Sequence, residues 1–150
     1  MLDDGTLTIS GTGNMDNYSH ESGLPPWYSL RKSIKRVVIS DGVTSIGDAA
    51  FSFCNLTSVT IGNSVTTIGY WAFGGCLNLT SVAIPNSVTT IDDAAFCGCL
   101  LTSVTIPASV KEVGNSAFYA CDSLETIYYP AGTNFVDKLR KGNVAELIPY

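Results

Sequence analysis

The sequence predicts a repeat solenoid: a short right-handed coil, mainly β with short helical turns, capped at both ends. Three observations predict it. One block recurs, with starts at Ile34, Leu56, Leu79, Leu101 and Leu124, spaced 22, 23, 22 and 23 residues apart. Within the block the apolar residues hold fixed columns, as in Leu79, Val82, Ile84, Val88, Ile91, Ala95, Phe96 and Cys99, while Ser, Thr, Asn and Gly fill most of the rest. Residues 1–33 and 131–150 depart from the block. A fixed period with one apolar side per coil means that each coil buries its face only by stacking on the next, so terminal coils need closing.

The elements follow in order. In the N-terminal cap, residues 1–33, Thr6-Leu7-Thr8-Ile9-Ser10 alternates as a strand does, and a polar loop runs from Gly11 to Gly23. Pro26 then opens a short helix whose Trp27, Leu30 and Ile34 share a face. The array spans 34–130. Each coil begins with a β-branched run such as Leu-Thr-Ser-Val-Thr-Ile, turns at Pro85-Asn86-Ser87 or its equivalent, and makes a second extended pass over Val88–Ile91. Asp48-Ala49, Asp93-Ala94 and Asn115-Ser116 then predict an N-capped helical turn leading into Phe and Cys. Gly47, Gly69 and Gly114 stand just before it, replaced once by Asp92, which predicts positive φ in that column. In the C-terminal cap, 131–150, Thr133 or Asn134 caps a helix carrying Phe135, Val136 and Leu139, Gly142 ends it, and the last residues fold back.

Composition removes several function classes. With 45% hydrophobic and only 14% charged residues the chain is too apolar for intrinsic disorder. Its net charge of -5 argues against a nucleic-acid groove, which needs a continuous basic face. No apolar run reaches the length of a membrane span, and Met1-Leu2-Asp3-Asp4-Gly5 is acidic where an export signal is basic, so the chain as written predicts neither.

The period lies in the range of about 20–29 residues found in leucine-rich repeats. At the pattern L-x-x-V/I-x-I-P-x-S-V-x-x-I-G-x-x-A-F-x-x-C the chain resembles the BspA-like, or Treponema pallidum-type, leucine-rich repeats. Ala72-Phe73 with Cys76 and Ala117-Phe118 with Cys121 are the most specific part, and the resemblance covers Ile34 to Pro130. It implies a non-enzymatic bacterial solenoid at the cell surface or secreted, with adhesion to host proteins in some members and no catalytic residues.

The residues that could carry chemistry have plainer readings. Cys54, Cys76, Cys99 and Cys121 form a column, and stacked coils line them up as buried thiols; a line does not surround a zinc ion. Cys97, outside the column, is the thiol expected to be most accessible. His20 is the only histidine, in a polar loop, with no Gly-x-Ser-x-Gly motif to pair with it. Gly11-Thr12-Gly13 reads as a turn, and Asp3-Asp4 and Asp92-Asp93 lack the alternating ligands of a calcium loop. The expectation is therefore no enzyme, no cofactor and no metal.

Two surfaces remain as candidates for a partner, either a protein or a glycan. From Val37 to Val110 the only charges are Asp41, Asp48, Asp92 and Asp93, so the first strands present a neutral hydroxyl stripe that includes Ser58, Thr60, Ser81, Ser103 and Thr105. The stripe serves equally as a solvated β face or as the binding face of a solenoid. Where other coils have small residues, the second has Tyr70-Trp71, which reads as an interface anchor or as a cover over a neighbouring coil. The leading expectation is a binding module; the alternative is a structural spacer with no ligand of its own.

Overall fold

In the computed structural model, which describes residues 4–150, successive coils stack as parallel rungs. Met1, Leu2 and Asp3, with the readings that fell on them, lie outside the described residues. The strands are β1 (Thr6–Ile9), β2 (Gly13–Asn14), β3 (Arg36–Ile39), β4 (Val43–Ile46), β5 (Ser58–Ile61), β6 (Thr67–Ile68), β7 (Thr90–Ile91), β8 (Ser103–Thr105), β9 (Glu112–Val113), β10 (Thr126–Tyr129) and β11 (Glu146–Pro149). One face is built from the first pass of each coil, in the orders β1-β3-β5 and β11-β10-β8; the second passes form a single five-stranded sheet, β2-β4-β6-β7-β9. Every strand pairing among the described residues is parallel, and the register advances by one repeat, as in Val37↔Val59 and Ile68↔Ile91.

The third face consists of turns. The N–H groups of Ala49, Phe51 and Phe53 donate to the carbonyls of Tyr70, Ala72 and Gly74, and those of Trp71, Phe73 and Gly75 to Asp93, Ala95 and Cys97. The intervening N–H groups bond back within the coil, as Ser52 does to Ala49. This ladder from coil to coil replaces the helical turn that the sequence led us to expect. Among the described residues helix is confined to one 3-10 turn, Tyr28–Leu30, and to α1 (Val136–Leu139), both outside the array. The caps are replaced too. Asp48 accepts the N–H of Tyr70 through Oδ1 at 2.8 Å, and Asp93 accepts that of Asn115, so these carboxylates tie neighbouring coils together.

Positive φ falls elsewhere than on Gly47, Gly69 and Gly114. It occurs at Ala49, Trp71, Ala94 and Ser116, and four residues later at Phe53, Gly75, Gly98 and Ala120. The glycine column is required by proximity instead: a Cβ on Gly47 would lie 1.8 Å from the Asp16 carbonyl oxygen, and one on Gly114 would lie 2.2 Å from the Asp93 nitrogen. How Asp92 fits the same column has no explanation in the structure.

Inside the coil the Phe column is one file. Phe51, Phe73, Phe96 and Phe118 stack with centroid spacings of 5.5, 5.3 and 5.6 Å, and Trp27 extends the file onto Phe51 at 5.5 Å. The thiols of Cys76, Cys99 and Cys121 donate to the carbonyls of Phe51, Phe73 and Phe96 in the preceding coil. Near the C-terminus Phe135 and Leu139 are buried, while β11 adds a parallel strand to β10.

Candidate functional site

The sheet beneath the hydroxyl stripe is interrupted. Ser58 and Thr60 are exposed on β5, and Ser103 and Thr105 are exposed on β8, but the two strands belong to different sheets. Ser81 is exposed between them in residues 79–85, which form no strand and donate no ladder to β5. A single bond, from the Thr102 N–H to the Thr80 carbonyl at 3.1 Å, links that stretch to the next coil's first pass. Ala83 occupies the column that holds Thr60 and Thr105, so this pass, which forms no strand, also lacks a β-branched residue that its neighbours have. The ladder beneath the hydroxyls is therefore broken, while Ser81, Ser103 and Thr105 line one shallow groove.

Tyr70 and Trp71 lie at the edge of the turn face, and a cleft of about 360 Å³ opens beside them. Its walls come from two distant parts of the chain. The array gives Asp48, Ala49, Ser52, Phe53, Tyr70 and Trp71; the N-terminal segment gives Tyr18, Ser19, His20, Leu24, Pro25 and Tyr28. Tyr70 is 54% and Phe53 50% exposed. Trp71 is half-buried at φ 54, and its indole lies so close over Gly74 that a Cβ there would come within 2.4 Å. The indole centroid is 6.1 Å from the Phe53 ring and 6.5 Å from Tyr70. Trp71 thus covers a glycine and walls the cleft at once.

The sequence marks Tyr70 and Trp71 as a break in a column of small residues, but it leaves Tyr18 and His20 in a polar loop and Tyr28 in the cap helix, none of them near that break. The available signal was the aromatic content of 18–28, with Tyr18, Trp27 and Tyr28 close together. What folds that loop onto the array is tertiary. Trp27 stacks on Phe51 and donates its indole N–H to the Ala50 carbonyl at 2.8 Å; the Tyr18 N–H donates to the Asp48 carbonyl at 2.9 Å. Arg31 lies over the Tyr28 ring, 4.0 Å from its centroid, and Lys32 donates to the Phe53 carbonyl at 3.2 Å.

The thiols offer no accessible nucleophile. Burial pushes Cys54 up to about 12 and Cys121 up to about 11, and holds Cys76 and Cys99 well above the ordinary thiol range. Cys97 is the most open of the five, yet only 8% exposed, and burial raises it as well. No helix among the described residues is long and apolar enough to cross a membrane.

Parallel rungs, a leucine column and a turn face with a Phe file define a leucine-rich-repeat solenoid. Residues 27–139 match the BspA type leucine rich repeat region in six copies, and the chain belongs to that family. It is similar to a leucine-rich repeat protein from Eubacterium ventriosum, at 32% identity over 87% of this chain and 41% of that one, with a TM-score of 0.69. The Treponema pallidum leucine rich repeat protein is 25% identical over 82% of this chain and 57% of its own, with a TM-score of 0.70. A leucine rich cell surface protein from Faecalibacterium prausnitzii is 30% identical over 79% of this chain and 38% of its own, at 0.55. The chain spans less than two thirds of the length of each. No curated protein matches it significantly.

Proposed function

We propose that the chain is a non-catalytic binding module of a bacterial cell-surface or secreted protein, engaging a protein or glycan partner through the edge that carries Tyr70 and Trp71. In this reading residues 1–33 and 131–150 close the 34–130 array, and the closing N-terminal segment also completes the binding edge. The observation that carries it is the cleft itself, where exposed Tyr70 and Phe53 meet Trp71 and Tyr28 on backbone tied from coil to coil. Exposed aromatic side chains on a rigid frame are the residues on which binding energy concentrates. The Faecalibacterium prausnitzii relative is a cell surface protein, which supports the location.

Arrays of extracellular host proteins and of glycans, probed with the wild-type chain and with Tyr70→Ala, test the reading. A specific signal is expected, falling about tenfold or more in the variant while thermal unfolding is unchanged. Trp71→Ala is expected to lose both signal and stability, because its indole covers Gly74. A chain that binds nothing on either array is a spacer.

A further inference from the structure

We infer that the cleft between residues 18–28 and the first turns of the array is a saccharide subsite for one or two neutral pyranose rings. This rests on the binding-module reading and names its ligand. Size is the first argument. At about 360 Å³ the cleft lies near the lower end of small-ligand pockets, about 300–1,000 Å³, whereas a folded protein partner needs roughly 800 Å² from each side. It receives a ring or a chain end.

The walls set the chemistry. Tyr28, Phe53, Tyr70 and Trp71 line the cleft, and an aromatic ring whose face is free offers negative π density to the polarised C–H groups of a sugar; one face of Tyr28 is already taken by Arg31. Polar groups stand beside them. Asp48 spends Oδ1 on the Tyr70 N–H, and its Oδ2 meets no protein donor among the described residues. Ser52 donates its hydroxyl to the Ala49 carbonyl at 3.0 Å, which leaves its oxygen free to accept. His20, exposed on the rim, adds an imidazole. Free acceptors next to aromatic faces suit a ligand rich in hydroxyl donors. Charge narrows the class further. The Asp48 carboxylate opposes an anion, while Arg31 over Tyr28 and Lys32 at the Phe53 carbonyl oppose a cation. A neutral polyol meets neither penalty.

Isothermal titration calorimetry with maltotriose, cellotriose and tri-N-acetylchitotriose decides the matter. At least one is expected to bind, and Tyr70→Ala and Asp48→Asn are each expected to weaken it about tenfold with the unfolding midpoint unchanged. Asp48→Asn is compatible with the fold, since Asn17 already fills the equivalent role, its Oδ1 accepting the Asp48 N–H at 2.9 Å. Failure of all three sugars, or binding that ignores both substitutions, overturns the assignment. If the sugars fail while Tyr70-dependent capture on the protein array persists, the saccharide inference falls and the binding-module reading stands; if both fail, neither survives.

Discussion

Non-glycine residues at positive φ carry a local cost of about 1–2 kcal/mol each, and the turn face holds six of them in register: Ala49, Phe53, Trp71, Ala94, Ser116 and Ala120. The second of the two columns shows what the backbone prefers, because Gly75 and Gly98 occupy it in the middle coils. Phe53 has a use there, lying over Gly75 so closely that a Cβ on that glycine would come within 2.5 Å of its ring. Ala120 has none. Ala120→Gly should therefore stabilise the chain by about 0.5–1 kcal/mol after the extra unfolded-state entropy of glycine is subtracted, measured as a higher urea midpoint with an unchanged slope.

The Phe file and the Cys column are elements in their own right, each made of one residue per coil. Phe96 is sandwiched between Phe73 and Phe118, so Phe96→Ala opens a cavity shared by three coils that none of them closes alone. Equilibrium denaturation should show a loss of about 3–5 kcal/mol. The thiols add a pH dependence of definite sign. An unfolded thiol ionises from its ordinary value of 9.0, while the folded chain keeps its proton until about 11 at Cys121 and about 12 at Cys54. Above pH 9 the unfolded state binds fewer protons than the native state, and stability falls as pH rises toward those folded values. Thermal midpoints followed from pH 8 to about 11 should decline more gently in Cys121→Ala than in the wild type once each is referred to its own value at pH 8.

For the whole molecule, stability is a sum of interfaces between neighbouring coils, so the ends matter more than their length suggests. Residues 131–150 bury Phe135 and Leu139 and cover β10 with β11. A chain ending at Pro130 should melt at lower temperature and elute as larger species on size exclusion, since the β10 edge is then open to pairing. The same whole-molecule geometry makes the cleft. Its two walls are drawn from residues 18–28 and 48–71, and neither segment contains the site by itself.

The amino-acid pattern alone determined the period, the inside and outside of each coil, the two extended passes and the single file of Phe rings, because all of these follow from which columns are apolar. Tyr70-Trp71 was equally visible as a break in a column of small residues. Tertiary structure decided the rest, for one physical reason: those features depend on atoms one repeat or more away. The turn face forms no helix because its N–H groups find carbonyls in the next coil. Gly47 and Gly114 are glycines because neighbouring backbone presses on them, and the sheet beneath the hydroxyl stripe breaks because residues 79–85 do not pair with β5. His20 and Tyr28 reach the cleft only because Trp27 caps the Phe file.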